Sequence, residues 1–176
     1  MLSSAPSAEK PILFVDVDGV ISLFGFPPTV EELPGPFHWV AGVAHCIPPE
    51  IGPRLLRLAE AFHLVWATGW EQHANRYLPL ILDLPFGELP CLDFKGRAVW
   101  GSSHWKLEGI SDYADDLPVA WIDDNLGPEC QLWAVRREQP TLLVPTHPAV
   151  GMTDEHVEEL LSWAGAVIPK QGSEAA

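Results

Sequence analysis

Ile12-Leu13-Phe14-Val15-Asp16-Val17-Asp18-Gly19-Val20 is an apolar run that ends in two carboxylates and a glycine. Four apolar residues with no polar alternation predict a strand buried on both faces, the kind found inside a parallel α/β sheet. Two acids that close repel each other, which raises the pKa of one or recruits a cation. Gly19 lets the backbone turn sharply and leaves both acids at the C-terminal end of the strand. Ligands of open α/β sheets bind at that end. Taken alone, the stretch also reads as a strand closed by an acidic turn, so the other strand ends decide between the two readings.

Further short strands are predicted at His63–Ala67, Val119–Ile122 and Thr141–Val144, all rich in β-branched, aromatic or aliphatic residues. Between them lie helical patterns at Pro49–Phe62, Glu71–Leu82, Trp105–Ala114, about Pro128–Arg137 and Thr153–Ala164, the last with Thr153 as N-cap. Strands alternating with helices imply right-handed crossovers and a parallel sheet covered on both faces. Residues 20–48 break the alternation with Pro, Gly and a hairpin pattern, Phe37–Val40 and Val43–Cys46. Residues 83–104 read as irregular. The pattern predicts one domain over 11–167, with flexible tails at 1–10 and 168–176.

At 176 residues the chain suits one well-buried domain, and eight Trp argue for a packed core. No apolar stretch is long enough to span a membrane, and the first residues lack the basic start and apolar core of a signal peptide. Cys46, Cys91 and Cys130 share no CxxC spacing and predict reduced thiols of a cytoplasmic protein. His45 beside Cys46 is not read as a catalytic pair, because such pairs meet in space, not in sequence. The net charge of −14 repels nucleic acid and anionic membranes. Between Lys10 and Arg54 there is no Lys or Arg at all.

Three more positions carry chemistry. Thr68-Gly69 follows the second strand and offers a hydroxyl and a turning backbone to an anion. Asp123-Asp124 follows the third strand, and Lys106 begins the helix that leads into it. Read singly, Thr68 is equally a helix cap, Lys106 a solvated residue and Asp123-Asp124-Asn125 an acidic turn.

In this order, Asp16-Val-Asp18-Gly-Val20, Thr68-Gly69, Lys106 and Asp123-Asp124 resemble the four motifs of the haloacid dehalogenase-like (HAD) superfamily. The likeness runs from about Ile12 to Ala164. Trp66-Ala-Thr-Gly-Trp70 and Pro145–Thr153 further resemble small, uncharacterised bacterial HAD proteins, some of whose relatives occur fused in RNA-repair proteins. The resemblance implies a doubly wound, Rossmannoid α/β sheet with a squiggle and flap over 20–48 and no large cap. It also implies that Asp16 is the nucleophile and Asp18 the acid and base. Mg²⁺ would then be held by the Asp16 side chain, the Asp18 carbonyl and Asp123-Asp124, with Asp124 favoured for direct contact. Thr68 and Gly69 would hold phosphoryl oxygens, and Lys106 would offset their charge. Trp39 in the flap and Trp70 beside the second motif are expected to touch substrate.

Asp18 separates phosphoryl transfer from dehalogenation in that superfamily. The expected activity is Mg²⁺-dependent hydrolysis of a phosphomonoester through an aspartyl-phosphate. A capless, open site suits a large substrate, whereas the lack of cations from 11 to 53 disfavours a polyanion. A phosphorylated small molecule is therefore the favoured partner, and a nucleic-acid or protein end stands second. A third reading is a catalytically weak domain that binds phosphorylated partners. The oligomeric state is left open.

Overall fold

The computed structural model describes residues 10–27, 29–99 and 103–168. The expected tails fall outside these residues, apart from Lys10 and Ile168. In chain order the elements are β1 (Ile12–Val15), β2 (Phe37–Val40), β3 (Val43–Cys46), α1 (Ile51–Ala61), β4 (His63–Trp66), α2 (Gln72–Ile81), α3 (Leu107–Ala114), β5 (Val119–Asp123), α4 (Pro128–Arg136), β6 (Thr141–Pro145) and α5 (Asp154–Val167).

β1, β4, β5 and β6 form a parallel sheet in the order β4-β1-β5-β6. Side chains of successive strand residues point to opposite faces, and the core divides accordingly. Leu13, Val15, Leu64, Trp66, Ala120 and Ile122 pack with Ile51, Leu55 and Leu58 of α1, Leu78 of α2 and Leu160 of α5. Ile12, Phe14, Val65, Val119 and Trp121 face the other way, against Ile110 of α3 and Cys130 of α4. Burying each large side chain contributes about 1.5–3 kcal/mol. The Arg57–Glu158 bridge between α1 and α5 is exposed and screened by solvent, so packing, not charge, holds that helix pair.

Register positions the chemistry. Val15 is level with Trp66 on one side and Ile122 on the other, so Asp16, Ala67 and Asp123 follow at one edge. β2 and β3 make a separate antiparallel hairpin. Its loop residues Ala41 and Gly42 both have positive φ (49° and 86°), the geometry of a type I′ turn. The hairpin is tied to the main chain after β1 by Leu23 N–H donating to the Cys46 carbonyl at 2.8 Å. Among the described residues there is no large cap between these elements.

Three local differences from the sequence-based expectation have physical causes. Glu71 adopts φ +47°, which no helix permits, so α2 starts one residue later than predicted. The stretch predicted as helix from Trp105 opens instead as a 3-10 turn, His104–Lys106, before α3. Within the irregular 83–104 segment, residues 90–92 run alongside β4: Trp66 N–H donates to the Pro90 carbonyl and Leu92 N–H to the Trp66 carbonyl. That segment covers a sheet edge that would otherwise be open to pairing.

Candidate active site

Asp16 follows directly after β1 and Asp123 ends β5, and α3 is preceded by the turn that delivers Lys106 between them. Lys106 Nζ lies 3.0 Å from Asp16 Oδ1 and donates to Asp123 Oδ2 at 2.6 Å. All three side chains are buried. Asp123 also accepts from Trp121 Nε1 at 3.2 Å, from the Asn125 backbone N–H at 2.9 Å and from the Ser103 hydroxyl. A carboxylate offers about four acceptor positions, so four donors occupy Asp123 fully. Asp124, the next residue, is half-buried and faces the cavity instead.

Carboxylate oxygens of Asp16, Asp123 and Asp124 all lie within 4.8 Å of one another. Three acids around one ammonium leave surplus negative charge. Burial pushes Asp16 up to about 7 despite Lys106, and Asp123 adds to the rise. Burial, with the Asp123 charge behind it, pushes Asp124 up to about 6. For Lys106, burial opposes the charge, but Asp16 and Asp123 together outweigh it and raise its pKa. Asp16 and Asp124, oxygen donors whose ionised forms burial and the neighbouring Asp123 charge disfavour, fit a hard divalent cation. Asp123 has no oxygen to spare for one.

Asp18 stands at the cavity rim, its pKa raised by burial, with the Trp70 hydrogen bond and the His45 charge opposing. Trp70 Nε1 donates to Asp18 Oδ2 at 3.0 Å. The turn carrying Asp18 is clasped by residues that follow β6. Thr146 Oγ1 donates to the Gly19 carbonyl at 2.8 Å, and Met152 N–H donates to the Val20 carbonyl at 2.9 Å.

A cavity of about 390 Å³ opens over these groups. Of the expected site residues, Asp16, Asp18, Gly69, Trp70, Lys106 and Asp124 line it. Thr68 lies buried behind that wall, where its Oγ1 accepts from Trp70 N–H at 3.2 Å. The structure does not bring Trp39 there. Trp39 is 73% exposed and pairs with Ala44, whereas His38 and His45 share the opposite face of the ribbon. His45, with its ring centroid 4.5 Å from that of Trp70, marks the face turned to the site.

Phe24, Ala98, Val99, Ser103, Trp105 and Asn125 complete the lining. Sequence reasoning missed them. Ser103 and Asn125 had a signal in their nearness to Lys106 and Asp124; the apolar residues had none. The arrangement places the carboxyl groups of Asp16, Asp18 and Asp124 and the ammonium of Lys106 around one volume. That set can bind a phosphoryl group and transfer it.

Comparison with known proteins agrees with this geometry. The family model described as the HAD domain in Swiss Army Knife RNA repair proteins matches residues 12–157. No curated protein matches the chain. Among solved structures, the HAD domain of the effector protein Lem4 from Legionella pneumophila is similar, with a TM-score of 0.60 and 14% identity. That match covers 93% of this chain and 100% of the Lem4 domain. An inactive mutant of the same domain gives 0.57 at 13% identity, over 91% and 97% of the two chains. At such identity the likeness is one of fold.

Proposed function

This chain belongs to the family of HAD domains in Swiss Army Knife RNA repair proteins, and we propose that it is a Mg²⁺-dependent phosphomonoesterase acting through an aspartyl-phosphate. The observation that carries the reading is the convergence of Asp16, Asp18, Lys106 and Asp124 on one cavity, while Asp123 is occupied by Lys106, Ser103, Trp121 and the Asn125 N–H.

Asp16 attacks phosphorus through a carboxylate oxygen as the bond to the leaving oxygen breaks. The Asp18 carboxyl gives its proton to that leaving oxygen, then as carboxylate takes one from the water that hydrolyses the intermediate. Its raised pKa suits a group that must start protonated. Lys106, fixed from behind by Asp123, offsets charge between Asp16 and the phosphoryl oxygens, which the Gly69 N–H and the turn held by Thr68 would also receive. Asp16, Asp124 and the Asp18 carbonyl would hold the Mg²⁺, which when bound supplies charge neutralisation and polarises a phosphoryl oxygen.

The favoured substrate is a small phosphate ester. Lys106 is the only Lys or Arg among the described cavity residues, and it is already paired. A nucleic-acid end is the second reading, supported by the family description and by the exposed aromatic rings of Phe37 and Trp39 on the hairpin. Among the described residues no helix is long and apolar enough to cross a membrane. Phosphate release measured with Mg²⁺ across sugar, nucleotide, oligonucleotide and phosphopeptide esters tests the proposal. Preference for short esters supports the first reading, and preference for oligonucleotides supports the second. Binding without turnover of any ester would leave a phosphate-binding domain instead.

A further inference from the structure

Trp70, Asp18, Ser22 and His45 come from three separate segments and form a closed ring. Trp70 Nε1 donates to Asp18 Oδ2 at 3.0 Å. The His45 imidazole, on β3 of the hairpin, meets the Trp70 indole edge-on, with centroids 4.5 Å apart and planes at 66°. Ser22 Oγ and His45 Nδ1 share a hydrogen bond of 2.8 Å. Ser22 is itself set against Asp18 by the Gly19 N–H, which donates to its carbonyl at 2.8 Å.

We infer that Trp70, braced by His45, is the positioning residue for the Asp18 carboxyl group. The inference rests on the reading of Asp18 as acid and base. An indole N–H can only donate, so the contact favours Oδ2 as the carbonyl acceptor and the transferable proton on Oδ1. Without the indole, the carboxyl group rotates freely about its Cβ–Cγ bond, and the proton is aimed at the leaving oxygen only part of the time. The turn behind Trp70 is built for the task. Glu71 sits at φ +47°, a conformation costly to a side-chain-bearing residue, and its carboxylate accepts from Phe94 N–H at 3.2 Å and Gly96 N–H at 3.1 Å. Through His45 the same ring links the hairpin to the acid.

The test compares an alkyl phosphate, whose leaving oxygen needs a proton, with 4-nitrophenyl phosphate, whose leaving group does not. Trp70→Phe keeps an aromatic ring and removes the N–H. It should lower kcat on the alkyl ester at least about tenfold more than on the aryl ester, a part of the ~10²–10⁴ that a positioned acid supplies. His45→Ala should show the same selectivity to a smaller degree, and His45→Phe should restore much of it by keeping the ring contact. Equal losses on both esters in all three variants would overturn the inference. A readout independent of turnover is the indole ¹⁵N–¹H signal that Trp70→Phe removes. It should move in Asp18→Ala, and an unmoved signal would overturn the contact itself. Should the wild-type protein hydrolyse neither ester, the reading of Asp18 as acid falls, whereas the indole signal still decides the contact.

Discussion

Gly19 leaves open the space that the Asp124 carboxylate fills: a methyl group on Gly19 would lie 2.5 Å from Asp124 Cγ. Gly19 also has φ +75°, so the same residue supplies the turn after β1 and the room for an acid arriving from β5. Gly19→Ala should therefore cost about 1–2 kcal/mol in stability from backbone strain alone. It should also displace Asp124 and weaken Mg²⁺ binding by about tenfold or more. Calorimetric titration with Mg²⁺ alone checks this, and an unchanged affinity would remove Asp124 from the cation site.

The adjacent acids should respond in opposite ways. Asp123→Asn replaces an acceptor of four donors with a group that is itself half donor, and weakens the buried hold on Lys106. A loss of about 3–5 kcal/mol is expected, as for other broken buried pairs. Asp124→Asn removes a half-buried carboxylate whose ionisation the metal-free fold disfavours, so it should raise metal-free stability near neutral pH while abolishing tight Mg²⁺ binding. Urea unfolding of both variants without metal would expose an error if their midpoints moved together.

Asp16 and Asp18 should fail differently. Asp16→Asn removes the nucleophile and should abolish turnover of every ester. Asp18→Asn should still attack an aryl phosphate but hydrolyse the resulting aspartyl-phosphate slowly. Rapid-mixing kinetics should then show a burst of aryl alcohol followed by a slow steady state. Near-native turnover by Asp16→Asn would mean that the nucleophile lies elsewhere.

Stability without metal should fall as pH rises. Asp16 and Asp124 titrate near 7 and 6 in the folded chain against about 4 when unfolded. The native state therefore binds more protons than the unfolded state between about pH 4 and 7, and proton release through that window favours unfolding. The melting temperature should drop from pH 5 to pH 8, and added Mg²⁺ should flatten the slope. A metal-free melting temperature that rose over that range would contradict the burial of these acids.

Much of the fold was legible because its strands are buried on both faces. Leu13 and Phe14 face different helix layers, so the stretch carries no polar alternation, and the run itself marks a central strand. The positions of Asp16, Asp18, Gly69, Lys106 and Asp124 at one edge followed from strand ends and motif order. What did not follow were partnerships between side chains on different loops. Trp70 read as a wall for substrate, yet its N–H is committed to Asp18. Nothing local to Asp123 says that Ser103, twenty residues earlier, will donate to it. Trp39 was expected at the substrate, and hairpin register, a property of pairing rather than of composition, turned it outward. Residues 90–92 hid their edge pairing behind Pro90, which accepts through its carbonyl while lacking the N–H that would have marked a strand.

The clasp of Thr146 and Met152 on the turn after β1 ties that turn to residues synthesised well after it, Thr146 lying 127 positions beyond Gly19. A ribosome releases the chain from its N-terminus at about 5–20 residues per second. Asp16 and Asp18 thus leave the exit tunnel many seconds before the residues that hold their turn in shape. The nascent protein carries its acids through that interval without the clasp, and the site acquires its geometry only when translation has passed Met152.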